Sequence, residues 1–136
     1  MAHEIIAKVL LVFGLCGAFC CEAEQLPSDA YIRKHLVGSW VTAKSSPDYR
    51  GVPEKEVFSA DGTYRFQVFK DATCLDAVFT IDVRWHVANG VLTSVYPNGS
   101  IGRDQVVSID SDILALHSLE TNSTTLRERS KGCLPQ

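Results

Sequence analysis

The stretch Leu36-Val37-Gly38-Ser39-Trp40-Val41 marks the point where a helical pattern stops and an extended one begins. Gly38 allows another part of the chain to approach closely, and the indole of Trp40 is large enough to plug the end of a small barrel. Just upstream, residues 27–36 carry the marks of one short helix. Ser28 can cap it and Asp29 lies in its positive first turn. Arg33, Lys34 and His35 crowd its negative end, and Gly38 follows. Ile32 and Leu36 are four residues apart, a narrow inward stripe that suits a lid or side prop.

Downstream of Val37 the hydrophobic period becomes that of strands, broken by strong turn signals. Asp61-Gly62 and Asn89-Gly90 each separate two alternating runs, and both dipeptides accept the positive φ angles of type I′ hairpin turns. Asn98-Gly99, Asp110-Ser111-Asp112 and Glu120-Thr121-Asn122 mark three further turns. The strands fall at about 38–43, 54–60, 63–70, 77–88, 91–96, 101–109, 113–119 and 123–129. Short connections pair each strand with its predecessor. Eight short antiparallel strands bury their edges by closing, so the expectation is an all-β, eight-stranded up-and-down barrel with one short N-terminal helix. Its interior would fit either side chains or one small ligand. The longest connection, residues 44–53, would lie across one mouth. Alternation points Tyr64, Phe66 and Val68 inward, likewise Phe79, Ile81, Val83, Trp85 and Val87, and likewise Ile101, Val107 and Ile109. Thr80, Asp82, Arg84 and His86 are then outside.

The chain has 136 residues, 46% hydrophobic and 21% charged, which suits one globular domain. Its net charge of -3 provides no basic field for nucleic acid or an anionic membrane surface. Residues 9–21 form an almost uncharged apolar run of about thirteen residues, short of the roughly 18 that span a bilayer but matched to a secretory signal. Small residues Cys21 and Ala23 occupy the -3 and -1 positions of a cut after Ala23. Residues 1–23 therefore read as a cleaved export signal and residues 24–136 as one barrel domain, secreted or periplasmic, with no membrane span after cleavage and expected as a monomer. The alternatives are a buried or anchoring N-terminal helix, or lipid attachment at Cys20 or Cys21, which Phe19 disfavours. Export leaves two of the five cysteines, Cys74 and Cys133. One even pair in an oxidising compartment implies a disulfide. Closing a loop of that length stabilises by roughly 4 kcal/mol on the chain-entropy model. The alternative is two unpaired buried thiols.

Gly38-Ser39-Trp40 after a short helix, with an arginine on the last strand at Arg127 or Arg129, resembles the lipocalin or calycin pattern. The resemblance implies that the glycine-any-tryptophan motif opens the barrel and that a final-strand arginine packs over the indole at the closed end. A guanidinium on an indole face contributes roughly 0.5–2 kcal/mol. The spacing of Gly38-Ser39-Trp40, Phe58-Ser59-Ala60-Asp61-Gly62-Thr63-Tyr64 and Trp85-His86-Val87-Ala88-Asn89-Gly90-Val91 is similar to short lipocalin-like domains of bacterial secreted proteins. The mature part is shorter than a typical lipocalin, which shrinks loops and cavity.

Little in the chain points to covalent chemistry. Asp82, Arg84 and His86 alternate on one strand face and could do acid–base or anion-binding work, but an outward solvated face explains them as well. His3, His35, His86 and His117 are too scattered for a metal signature, no serine sits in a strand–turn–helix elbow, and no glycine-rich phosphate loop exists. No enzyme, metal or cofactor is expected. Asn98-Gly99-Ser100 and Asn122-Ser123-Thr124 are glycosylation acceptors in a eukaryotic source and good turn residues in a bacterial one. The leading expectation is an exported binding protein for a small hydrophobic ligand, held in the lumen by Trp40, Tyr64, Phe66, Phe79 and Trp85. The competing one is a protease-inhibitor-like or other interaction module that binds a protein partner through its surface loops and the arm Glu24-Gln25-Leu26-Pro27.

Overall fold

The computed structural model describes residues 25–136, so the export-signal expectation and Glu24 of the arm lie outside the described residues. One helix, α1 (Asp29–Leu36), precedes eight strands: β1 (Gly38–Thr42), β2 (Glu54–Phe58), β3 (Thr63–Phe69), β4 (Ala77–Ala88), β5 (Val91–Val95), β6 (Ile101–Ile109), β7 (Ile113–Ser118) and β8 (Thr124–Arg129). Each strand pairs antiparallel with the next, and β8 returns to β1 with Trp40 opposite Arg129 and Thr42 opposite Arg127. The barrel is closed. Among the described residues no strand edge is left unpaired, which removes the usual hazard of an all-β chain.

The turns follow local chemistry. At Asn89-Gly90 both residues have positive φ, 51° and 75°, as a type I′ turn requires. Asp61-Gly62 differs from expectation: only Gly62 is positive, at 87°. Ser59 carbonyl accepts from Gly62 N–H and Ser59 N–H donates to Thr63 carbonyl, so a three-residue loop ends in a glycine bulge. The carboxylate of Asp61 accepts from Thr63 N–H, which favours that longer loop. Asn98 and Asn122 lie on exposed turns, where the Asn98 side chain accepts from Ser100 N–H and the Asn122 side chain meets the His117 ring.

Helix α1 seals one end. Ser28 caps it by accepting from Tyr31 N–H, and Ile32 and Leu36 are fully buried. The Asp29 carboxylate accepts from the backbone N–H groups of Asn89 and Gly90 at 2.9 and 2.7 Å, and these two bonds hold its carboxyl below the usual range. Arg33 donates to Val87 carbonyl. The core occupies the same end: Trp40, Phe58, Tyr64, Val83, Trp85, Val87, Leu92, Val106, Leu114 and Leu116 pack under the helix.

The face assignments hold for β3 and β4, whose outward Thr80, Asp82, Arg84 and His86 are all exposed. They fail on β6. A bulge between Val106 and Ser108 adds one residue, so the inward face passes from Val106, fully buried, to Ile109, with Val107 exposed. Before the bulge the even positions face in, opposite Leu92 and Ser94, which leaves Ile101 exposed as well; only Ile109 of the expected set points inward.

Cys74 in the β3–β4 loop is disulfide-bonded to Cys133, with Cα atoms 5.8 Å apart. After β8 the tail turns back along the wall toward the opposite end, where Cys133 carbonyl accepts from Glu54 N–H at the start of β2. The bond therefore clips the C-terminal tail to a loop at the mouth away from the helix. Among the described residues no helix is long and apolar enough to cross a membrane.

Candidate functional site

The two halves of the barrel differ. At the helix end Trp40 is fully buried, its indole N–H donates to Leu36 carbonyl at 2.8 Å, and the Arg129 guanidinium lies 3.8 Å from the ring centre. Arg129 also donates to His35 and Val37 carbonyls at 2.6 and 3.0 Å. Gly38 makes room for this: its φ is 127°, and a Cβ there would stand 2.5 Å from Arg129 Nη1. Of the two arginines expected at the closed end, Arg129 occupies it. Arg127 does not; two residues earlier on the same strand face, it lies farther from the helix and points into the lumen.

At the other end the lumen opens into a cavity of about 420 Å³ lined by Glu54, Glu56, Tyr64, Phe66, Phe79, Ile81, Tyr96 and Arg127. Register explains the set. Phe58 pairs with Tyr64, Glu56 with Phe66 and Glu54 with Val68, so both glutamates share the inward face of the aromatic residues opposite them. On the next pair, Phe66 faces Ile81 and Val68 faces Phe79. Phe79 is 51% exposed because it stands at the rim, its ring edge-on to Phe66 at 6.3 Å. Of the expected ligand-contacting residues, Tyr64, Phe66 and Phe79 line this cavity. Trp40 and Trp85 belong to the packed half, where Trp85 donates to Thr63 carbonyl and meets Phe58 edge-on at 5.7 Å.

Arg127 organises the charges. Its Nη2 lies 3.1 Å from Asp48 and its Nε 3.6 Å from Glu56, with the side chain 13% exposed. Asp48 reaches it from the β1–β2 connection, residues 43–53, which is thereby tied to β8 at the open end. Ser46 holds that connection in place: its hydroxyl donates to the Asp48 carboxylate and accepts from Leu126 N–H on β8. Burial pushes the Glu56 carboxyl above its ordinary value; Arg127 opposes this, and Glu54, Asp104 and Asp48 add to it. Asp104 faces the lumen from β6, opposite Leu92, and is raised by burial and by Glu120. Burial also works against ionisation of Asp48, but the Ser46 hydroxyl and Arg127 outweigh it and its carboxyl is lowered. Burial and the hydroxyl of Tyr96, 3.4 Å away, raise the Tyr64 phenol.

No family model, curated protein or solved structure matches the chain. The site therefore stands on its geometry. A second, larger depression of about 740 Å³ lies outside the barrel between residues 25–28, Tyr31 and the bulged end of β6. Among the described residues no charged side chain lines it, and the Gln25-Leu26-Pro27 part of the arm forms its wall. The Asp82, Arg84 and His86 face gathers nothing: Asp82 pairs with Arg65 at 2.8 Å with both side chains mostly exposed. Among the described residues no three His, Cys, Asp or Glu side chains come together to hold a metal ion.

The inward Glu54, Glu56 and Asp104 escaped the sequence because charges on short strands ordinarily mark the solvent face. Counting back from the Asp61-Gly62 turn could have found the first two, since it places them on the face of Phe58 and hence of Tyr64 and Phe66.

Proposed function

We propose that the chain is an exported, non-enzymatic, lipocalin-like carrier that holds one small molecule in the open half of its barrel. The observation that carries this reading is the cavity of about 420 Å³ with aromatic walls and converging polar groups, a size within the roughly 300–1,000 Å³ of small-molecule sites. The packed half supplies a rigid floor, and the connection bearing Asp48 supplies a partial cover. Export draws support from the Cys74–Cys133 bond, since such bonds persist in oxidising compartments. The inhibitor-like alternative receives less support, because the described part of the arm lies against α1 and β6.

The test is uptake of the neutral apolar dye N-phenyl-1-naphthylamine, followed by its fluorescence. One saturable site per chain is expected, and Ile81→Trp, which fills the cavity, should abolish it while circular dichroism stays that of the parent. Uptake that is non-saturable, or unchanged in a folded Ile81→Trp protein, would overturn the carrier reading.

A further inference from the structure

The cavity is unbalanced in charge. Two carboxylates, of Glu54 and Glu56, line it against the one guanidinium of Arg127; Asp48, paired with that guanidinium, and Asp104 on β6 add negative charge beside Glu56. That guanidinium is held on one side: its Nη atoms meet Asp48 and Leu126 carbonyl, while its Nε, 3.6 Å from Glu56, is buried without a hydrogen-bond partner among the described residues. Glu54 receives a hydrogen bond from the Thr42 hydroxyl at 3.3 Å. Neither Glu54 nor Asp104 makes an ion pair among the described residues. The unbalanced negative charge is set among Tyr64, Phe66, Phe79 and Tyr96, whose ring faces attract cations rather than anions. An anionic head would add a further negative charge to a site where carboxylates already repel one another. The carboxylates are too dispersed to gather three ligands round a metal ion, whereas an ammonium group on an organic body needs only one or two of them plus an aromatic wall.

Resting on the luminal reading above, we propose that the preferred occupant is a small organic cation: a protonated amine carried on an apolar or aromatic body. The body lies against Phe66, Phe79 and Ile81, and the ammonium donates to Glu56 and Glu54. The rim residue Phe79, half exposed, is the first ring that such a molecule meets.

Three probes with one body and different heads test this: phenethylamine, 2-phenylethanol and 3-phenylpropanoate, titrated calorimetrically into the disulfide-bonded protein at neutral pH. The amine should bind roughly tenfold or more tightly than the alcohol, a difference of about 1.4 kcal/mol, with the carboxylate weakest. In the paired variant Glu54→Gln with Glu56→Gln, folded as judged by circular dichroism, the amine's advantage over the alcohol should fall to about threefold or less; an undiminished advantage in that folded variant overturns the assignment of the ammonium to these carboxylates. Alcohol binding as tight as amine binding, or uptake of the neutral dye without amine binding, overturns the cation assignment and leaves carriage standing. Loss of dye, amine and alcohol binding together overturns both.

Discussion

Replacing Gly38 by alanine tests the closed end most directly, because the structure supplies each part of the cost. Alanine at φ 127° occupies a region that residues with a Cβ avoid, a strain on the order of 1–3 kcal/mol. The new methyl would stand 2.5 Å from Arg129 Nη1, so the guanidinium must leave the Val37 carbonyl and tilt off the Trp40 ring. One charged hydrogen bond and part of a cation–π contact together amount to about 2 kcal/mol for a partly exposed arginine. Gly38→Ala should therefore destabilise by about 4 kcal/mol in urea titration, or roughly 15 °C in thermal midpoint for a domain of this size. Arg129→Ala alone should cost about 2–3 kcal/mol. The double variant should then be less damaged than the sum of the two by about 2 kcal/mol, since with the guanidinium gone the methyl meets no obstacle. Strict additivity, or a Gly38→Ala cost below about 1 kcal/mol, would refute the idea that this glycine exists to admit the arginine.

Further outcomes follow from the other half of the barrel. Changing Cys74 and Cys133 together to serine should lower stability by about 4 kcal/mol, as for a loop spanning 59 residues, and reduction of the parent should reproduce the loss in urea titration. Arg127→Met should destabilise by about 3 kcal/mol at neutral pH by leaving Glu56 and Asp48 without their counter-charge, and by less when Glu56 is also changed to methionine. Glu56 and Asp104 have raised carboxyls, so the stability they contribute is complete below the ordinary carboxylate range and declines as pH rises through their folded values. Asp48 is lowered and acts in the opposite sense, stabilising above that range and losing its effect as pH falls. Urea titrations at acid and neutral pH should accordingly show the difference between Glu56→Gln and the parent moving in favour of the variant as pH rises; a constant or reversed difference would contradict the assignment. Phe79→Ala should leave stability within about 1 kcal/mol of the parent because the ring is half exposed, yet weaken dye uptake several-fold.

The barrel was legible in the sequence because its information is local. Asp61-Gly62, Asn89-Gly90 and Asn98-Gly99 mark reversals within a few residues of their true places, and Ser28, Asp29 and Gly38 bracket the helix. What was not legible depends on pairings across the barrel. That Val106 faces in requires knowing that Asp104 lies opposite Leu92, and that Ile109 does as well requires knowing that Ser108, and not Val107, lies opposite Ala115. Arg127 and Arg129 share a strand face, so no local rule says which one lies over the indole; the distance from Gly38 across the β1–β8 seam decides it. The site was half legible for the same reason. Aromatic residues on β3 and β4 announce themselves by alternation, whereas carboxylates facing a lumen resemble carboxylates facing water until the register with Tyr64 and Phe66 is known.

The helix covers one opening of the tube, and at the other the loop stapled through Ser46 and Asp48 is tied to β8. The Asp48–Arg127 pair sits at that open end, partly wetted, and added electrolyte weakens such pairs. On the carrier reading proposed above, exchange of a guest should therefore quicken with ionic strength even for an uncharged passenger, as that contact loosens.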